Sequence, residues 1–185
     1  MALIVGLGNP GVEYKGTRHN VGFELIDKLS EKLTITLQPG NGLFFLGEGH
    51  FKSKKVTLMK PVTFMNRSGR AVSSAIAKTE TPLTDCIICY DDINLQPGTI
   101  RIRPSGSAGG HNGLTDILNQ LQTRDIPRLR LGIGNDFPRG RQSDYVLSPF
   151  TSEQRTCVDE ALEVASEAIL AFLRGGIDLA MNEFN

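Results

Sequence analysis

The chain has 185 residues, 39% of them hydrophobic and 22% charged, with equal numbers of acids and bases. That is enough for a single domain over residues 1–185 with a full-sized core, and too apolar for a disordered polymer. No apolar run approaches a membrane span, and no basic, apolar and cleavable leader precedes the first strand, which predicts a cytoplasmic protein without a membrane partner.

The three cysteines, Cys86, Cys89 and Cys157, are too few and too unevenly placed for a disulfide framework. Cys86 and Cys89 have redox spacing but sit inside an apolar run, where two small core side chains are expected. Charge is uneven along the chain. Residues 151–185 hold seven acids and two bases, leaving 13 acids and 18 bases in residues 1–150. A net +5 over that portion suits a polyanion, although charge alone favours a solvated surface.

In chain order, Ala2-Leu3-Ile4-Val5 predicts a buried strand. The loop Gly6 to Asn20 follows. Val21, Leu25, Leu29 and Leu33 then recur at helical spacing, predicting a helix from Arg18 or His19 to Lys32. Leu43 to Leu46 and Val56 to Met59 predict two strands, joined by a turn holding His50, Lys52, Lys54 and Lys55. A helix is expected through Val72, Ala75 and Ile76. Cys86 to Tyr90 is a continuous apolar run, expected as a central strand that ends in Asp91-Asp92. Thr99 to Arg103 alternates, placing Arg101 and Arg103 on one side of a half-exposed strand.

Pro104 to Gly113 is a glycine-rich loop carrying His111-Asn112, and Leu114, Ile117, Leu118 and Leu121 form one helical face. Arg128 to Gly134 alternates as another strand, and Asn135 to Ser148 reads as a polar loop. Thr151 with Gln154 has capping-box form and opens a helix that stops at Gly175-Gly176, with a short helix beyond. The class is α/β: one mixed, largely parallel twisted sheet flanked by helices.

Four features carry possible chemistry. Gly6-x-Gly8-x-x-Gly11 matches the dinucleotide fingerprint, but Pro10 and the polar run to Arg18 delay the helix whose N-terminus should meet a pyrophosphate. His19 lies where a polar loop meets a helix start, and an imidazole, with an ordinary pKa of about 6.5, suits a general base near neutral pH. It would need an orienting carboxylate, and Asp91 meets that need if its strand neighbours the first. Turn chemistry or a metal pair are the other readings of Asp91-Asp92. Asn9, Asn66 and Asn112 each lie beside an element end; such amides cap helices, or donate to a substrate without disturbing a nearby base. No serine or cysteine sits in a nucleophile elbow, so a His–Asp pair here would activate water.

Five stretches together resemble the bacterial peptidyl-tRNA hydrolase family: Gly6-Leu7-Gly8-Asn9-Pro10-Gly11 with Tyr14 and Thr17-Arg18-His19-Asn20; Lys60 to Gly69; Tyr90 to Gly98; Gly109 to Leu114; and Arg128 to Gly134. The resemblance implies a monomeric cytoplasmic hydrolase that needs no cofactor or metal. Its substrate would be peptidyl-tRNA, cleaved at the ester between peptide and 3′-terminal ribose so that tRNA from aborted translation is recycled. It implies His19 as catalytic base, Asp91 as its orienting acid, and Asn9, Asn66 and Asn112 as groups that hold substrate or steady the reacting carbonyl. It places Tyr14 at the tRNA end, Met65 in the peptide groove, and Arg101, Arg103 and Arg130 among the tRNA contacts. Asn94 stands where an acid is frequent in the family, and the 136–143 loop has its own length.

Overall fold

The computed structural model describes residues 1–185. Seven strands form one sheet: β1 (Ala2–Gly6), β2 (Gln38–Gly40), β3 (Phe44–Phe51), β4 (Lys54–Pro61), β5 (Cys86–Asp92), β6 (Ile100–Arg103) and β7 (Arg128–Gly132). Their spatial order is β2-β3-β4-β1-β5-β7-β6. The four central strands run parallel, while β2, β3 and β6 join the edges antiparallel. Five helices complete the fold: α1 (Val21–Leu33), α2 (Ser68–Thr79), α3 (Asn112–Leu121), α4 (Gln142–Val146) and α5 (Ser152–Phe184).

Helices cover both faces of the sheet, so β1 and residues Cys86–Tyr90 of β5 are continuous apolar runs with no polar alternation. One face packs Ile4, Ile87, Cys89, Leu129 and Leu131 under α1 and α5. The other packs Leu3, Val5, Cys86, Ile88 and Tyr90 under α2 and α3. All seven residues of β5 are buried. Cys86 and Cys89 therefore belong to opposite layers and cannot approach each other as a pair. Burial pushes the Cys86 thiol up to about 12 and raises Cys89 as well, which makes both inert core groups.

Several sequence expectations need correction. The loop holding His50, Lys54 and Lys55 is largely strand: β3 and β4 pair to their ends, and only Lys52-Ser53 turns the chain. Gly47 and Gly49 are where β3 passes under Ile35, leaving no room for a Cβ. The loop from Asn135 to Ser148 contains α4, with Tyr145 and Val146 buried. The charge asymmetry is partly internal, because acids of α5 meet bases of α1 in the pairs Lys28–Glu163 and Lys32–Glu167.

Other expectations match. Thr151 and Gln154 form the reciprocal capping box, and α5 loses helical geometry at Gly175 and Gly176, the latter at φ 78. The edge strand β6 is covered by Asn185, whose side chain pairs with both the N–H and the C=O of Ile102.

The start of α1 is set by glycines. A Cβ on Gly6 would stand 2.2 Å from the carbonyl oxygen of Gly22, and one on Gly22 would stand 2.6 Å from the carbonyl oxygens of both Leu7 and Cys89. Helix and sheet thus meet backbone to backbone just after His19. Gly22→Ala forces backbone, not side chains, to move. It is expected to destabilise the protein by about 1–3 kcal/mol, read as a lower urea midpoint with an unchanged slope.

Candidate active site

The loops after β1 and β4 open above the carboxyl end of β5. The helix after β1 lies on one face of the sheet and the helix after β4 on the other, so a crevice is left where they diverge. A cleft of about 770 Å³ occupies it, lined by residues including His19, Asp91, His111 and the three asparagines Asn9, Asn66 and Asn112.

His19 lies in a 3-10 turn, Arg18–Asn20, that runs directly into α1. Its Nδ1 is 2.9 and 2.8 Å from the two carboxylate oxygens of Asp91. β1 and β5 are adjacent and parallel, as the pairing of these residues requires. An acceptor-only carboxylate at Nδ1 places the ring proton there and leaves Nε2 as the basic atom. The pair is shielded from water: His19 is 8% exposed and Asp91 2%.

A second imidazole, not singled out from the sequence, completes the group. His111 caps α3: its Nδ1 accepts the N–H of Leu114 at 3.1 Å. Its proton must then be on Nε2, which donates to Asp91 Oδ1 at 2.9 Å. The clue available in the sequence was its position, three residues before the first apolar residue of a strong helical face, where a capping side chain belongs. Asp91 thus receives one imidazole from each layer of the fold. Burial pushes its carboxyl up, but the charges and hydrogen bonds of His19 and His111 outweigh this and hold it well below the usual carboxylate range.

Donor atoms of His19, Asp91 and His111 lie within 4.8 Å of one another, close enough to hold a cation. The hydrogen bonding does not suit one. With Nδ1 of His111 accepting from Leu114, its Nε2 carries a proton and has no lone pair to offer. His50, far along the chain, sits in β3 opposite Lys55.

Asn9 is held on three sides. Asn20 accepts its backbone N–H at 2.9 Å and donates to its carbonyl at 3.0 Å. The Met65 N–H donates to Asn9 Oδ1 at 2.8 Å, which fixes the amide with its NH₂ as the free end. The role of Asn20 was not evident in the sequence, since nothing in spacing shows that a side chain will mimic a strand partner. Met65 is buried in the cleft wall, whereas Asn66 and Asn112 line the cleft with exposed side chains.

Tyr14 lies at the rim, half-buried, with its ring edge-on to exposed Phe64 at 6.5 Å. Phe64 in turn lines the cleft. Arg101 and Arg103 pair across β6 and β7 with Arg130 and Arg128, so all four share one face of the sheet edge. Neither Arg101 nor Arg103 reaches the cleft; each donates to a carbonyl of its own strand. Arg130 donates to Asp92 Oδ2 at 2.6 Å, and Asp92 Oδ1 accepts from Asn94, so this second aspartate fixes the strand end. Arg128 is 1% exposed and unpaired with any acid. It donates to the carbonyls of Gly106, Ser107 and Arg124, tying down the glycine-rich loop that delivers His111 and Asn112.

A family model described as Peptidyl-tRNA hydrolase matches residues 3–185. The chain belongs to the peptidyl-tRNA hydrolase family. It is 52% identical to the peptidyl-tRNA hydrolase of Salinibacter ruber, over 99% of this chain and 97% of that one. It is 49% identical to the peptidyl-tRNA hydrolase of Caldanaerobacter subterraneus subsp. tengcongensis, with both chains covered fully. The crystal structure of peptidyl-tRNA hydrolase from Acinetobacter baumannii superposes with a TM-score of 0.94 at 37% identity, covering 98% of this chain and 93% of that one. The peptidyl-tRNA hydrolases are enzymes that act on an ester bond, and the fold and family of this chain are theirs.

In this family member Asp91 links the site to stability. Its folded pKa lies below that of an unfolded aspartate, about 3.9, so the folded state binds fewer protons in that window. The contribution is complete above the unfolded value and is lost as pH falls through the folded one. Urea titrations at stepped pH are expected to show the wild type losing more stability than Asp91→Asn below about pH 4.

Proposed function

We propose that the protein hydrolyses the ester joining a peptide or N-blocked amino acid to the 3′-terminal ribose of tRNA, with His19 as general base and no covalent intermediate. One observation carries this: Asp91 holds the proton of His19 on Nδ1, leaving Nε2 as a free base in a cleft that contains neither a serine elbow nor a reactive cysteine. Nε2 takes a proton from water as its oxygen bonds to the ester carbonyl carbon. The tetrahedral intermediate then expels the ribose 3′ oxygen, which recovers the proton from the imidazolium. An ester needs less leaving-group assistance than an amide, which suits a site with one acid–base group.

The free NH₂ of Asn9, held by Met65 and Asn20, and that of Asn112 would donate to the oxyanion. Asn66 and Met65 would hold the peptide. Tyr14, beside Phe64, would take the terminal nucleotide, and Arg101, Arg103 and Arg130 would meet tRNA phosphates. A monomer working in the cytoplasm is the expected setting. Light scattering giving the mass of one 20.2 kDa chain is the result that supports the monomer.

The test is release of the blocked amino acid from N-acetyl-aminoacyl-tRNA by purified protein. His19→Ala is expected to fold and bind tRNA while losing about 10²–10⁴ in kcat. Near-normal turnover by that variant would remove His19 from the role. Asn9→Ala is expected to lose on the order of 10²-fold in kcat if its NH₂ serves the oxyanion. Arg101→Ala and Arg103→Ala are expected to raise KM more than they lower kcat, and each to reduce the salt slope of binding by about 1. Equal losses in KM and kcat would argue against phosphate contact.

A further inference from the structure

Arg18 precedes the proposed base in the same 3-10 turn, yet it points away from the cleft chemistry and is 5% exposed. No carboxylate pairs with it. Its charge is met by oxygens of a single segment instead. NH1 reaches the carbonyls of Tyr145 at 3.4 Å, Ser148 at 3.2 Å and Pro149 at 2.7 Å, and the Ser148 hydroxyl at 2.6 Å. NH2 donates to Gln154 at 2.7 Å, while Nε is buried without a partner. The guanidinium also lies over the Tyr145 ring, 4.1 Å from its centroid. The main chain adds the Arg18 N–H to Ser148 carbonyl bond and a bridge between Thr17 and Pro149.

The segment so held is the last turn of α4 and the residues after it. The opposite side of α4 forms a wall of the cleft through Gln142, Ser143, Val146 and Leu147. A five-residue helix has too few internal bonds to stand alone, and its terminal carbonyls need partners. Arg18 supplies them from the turn that carries His19.

We propose that Arg18 is a positioning residue that holds the α4 wall at a fixed distance from His19, so that the peptide part of the substrate meets a preformed surface. This rests on the hydrolase reading above. Lysine cannot substitute, because an ammonium has no planar fork to span several carbonyls and does not stack on Tyr145 in the same way. Loosening the wall makes substrate order it on binding, which weakens binding while leaving the base and its carboxylate intact.

Two measurements test it. Trypsin nicking at Arg139 and Arg141, both exposed, reads the wall without any substrate. Arg18→Lys, and to a smaller extent Ser148→Ala, are expected to be nicked faster there than the wild type at equal global stability in urea. With a longer N-blocked peptidyl-tRNA, Arg18→Lys is expected to raise KM about three- to tenfold with kcat within about twofold, and to affect N-acetyl-aminoacyl-tRNA less. A fall in kcat at unchanged KM would mean that Arg18 acts on His19 alone and would overturn the proposal. So would nicking and KM both like the wild type. An inactive wild type with the nicking difference intact would instead overturn the hydrolase reading.

Discussion

A single buried carboxylate organises the upper end of this molecule. Asp91 is 2% exposed and would be costly to ionise alone. It is ionised because two imidazoles donate to it, one delivered by the turn before α1 and one by the turn before α3. Those helices lie on opposite faces of the sheet, so the carboxylate is the point at which the two layers of the fold are tied together. The same bonds decide the chemistry. A carboxylate accepts only, so each histidine must present a proton to it. For His19 this leaves Nε2 as a base. For His111, whose other nitrogen already caps a helix, it leaves nothing free. Two histidines around one acid thus have different capacities, and the backbone N–H of Leu114 makes the difference.

The walls around this centre are fastened by a second device used twice. Arg18 and Arg128 are both buried, and neither is paired with an acid. Each distributes its donors over main-chain carbonyls of a segment with little regular structure of its own. A fork of fixed geometry suits that task, since one side chain can satisfy several carbonyls that would otherwise be buried without partners. The loops beside the cleft hold their shape without long helices, leaving the ends of the strands open.

Much of this was legible in the sequence where the signal is local. The apolar runs of β1 and β5, the capping box at Thr151 and the glycine break at residues 175–176 are properties of a few neighbouring residues, and they appear where expected. His19 and Asp91 could be paired because two parallel strands that are neighbours must bring their carboxyl ends together. What was not legible depends on distant partners. His111 looked like a histidine without a role because its meaning lies in Asp91, 20 residues away, and in the cap it makes. Arg128 looked like an alternating, half-exposed strand residue because nothing local shows that a glycine loop will fold over it. The helix α4 is too short to show a period, and the groups that hold it, Arg18 and the Ile133 carbonyl among them, lie outside it in sequence. The β3–β4 hairpin was underestimated because the polar residues from His50 to Lys55 look like a turn, whereas His50 and Phe51 pair with Lys55 and Lys54 across it.

The contact between Gly6 and Gly22 has a mechanical consequence. Side chains at an ordinary helix–sheet junction are compliant; they change rotamer and absorb small displacements. Here two main chains touch directly, and α1 leaves the turn of His19 from that contact. The sheet that carries Asp91 and the turn that carries His19 are therefore referenced to one hard surface, with no soft layer between them. The spacing of the two backbones that carry acid and base is thus set by contact between main-chain atoms and not by the packing of side chains.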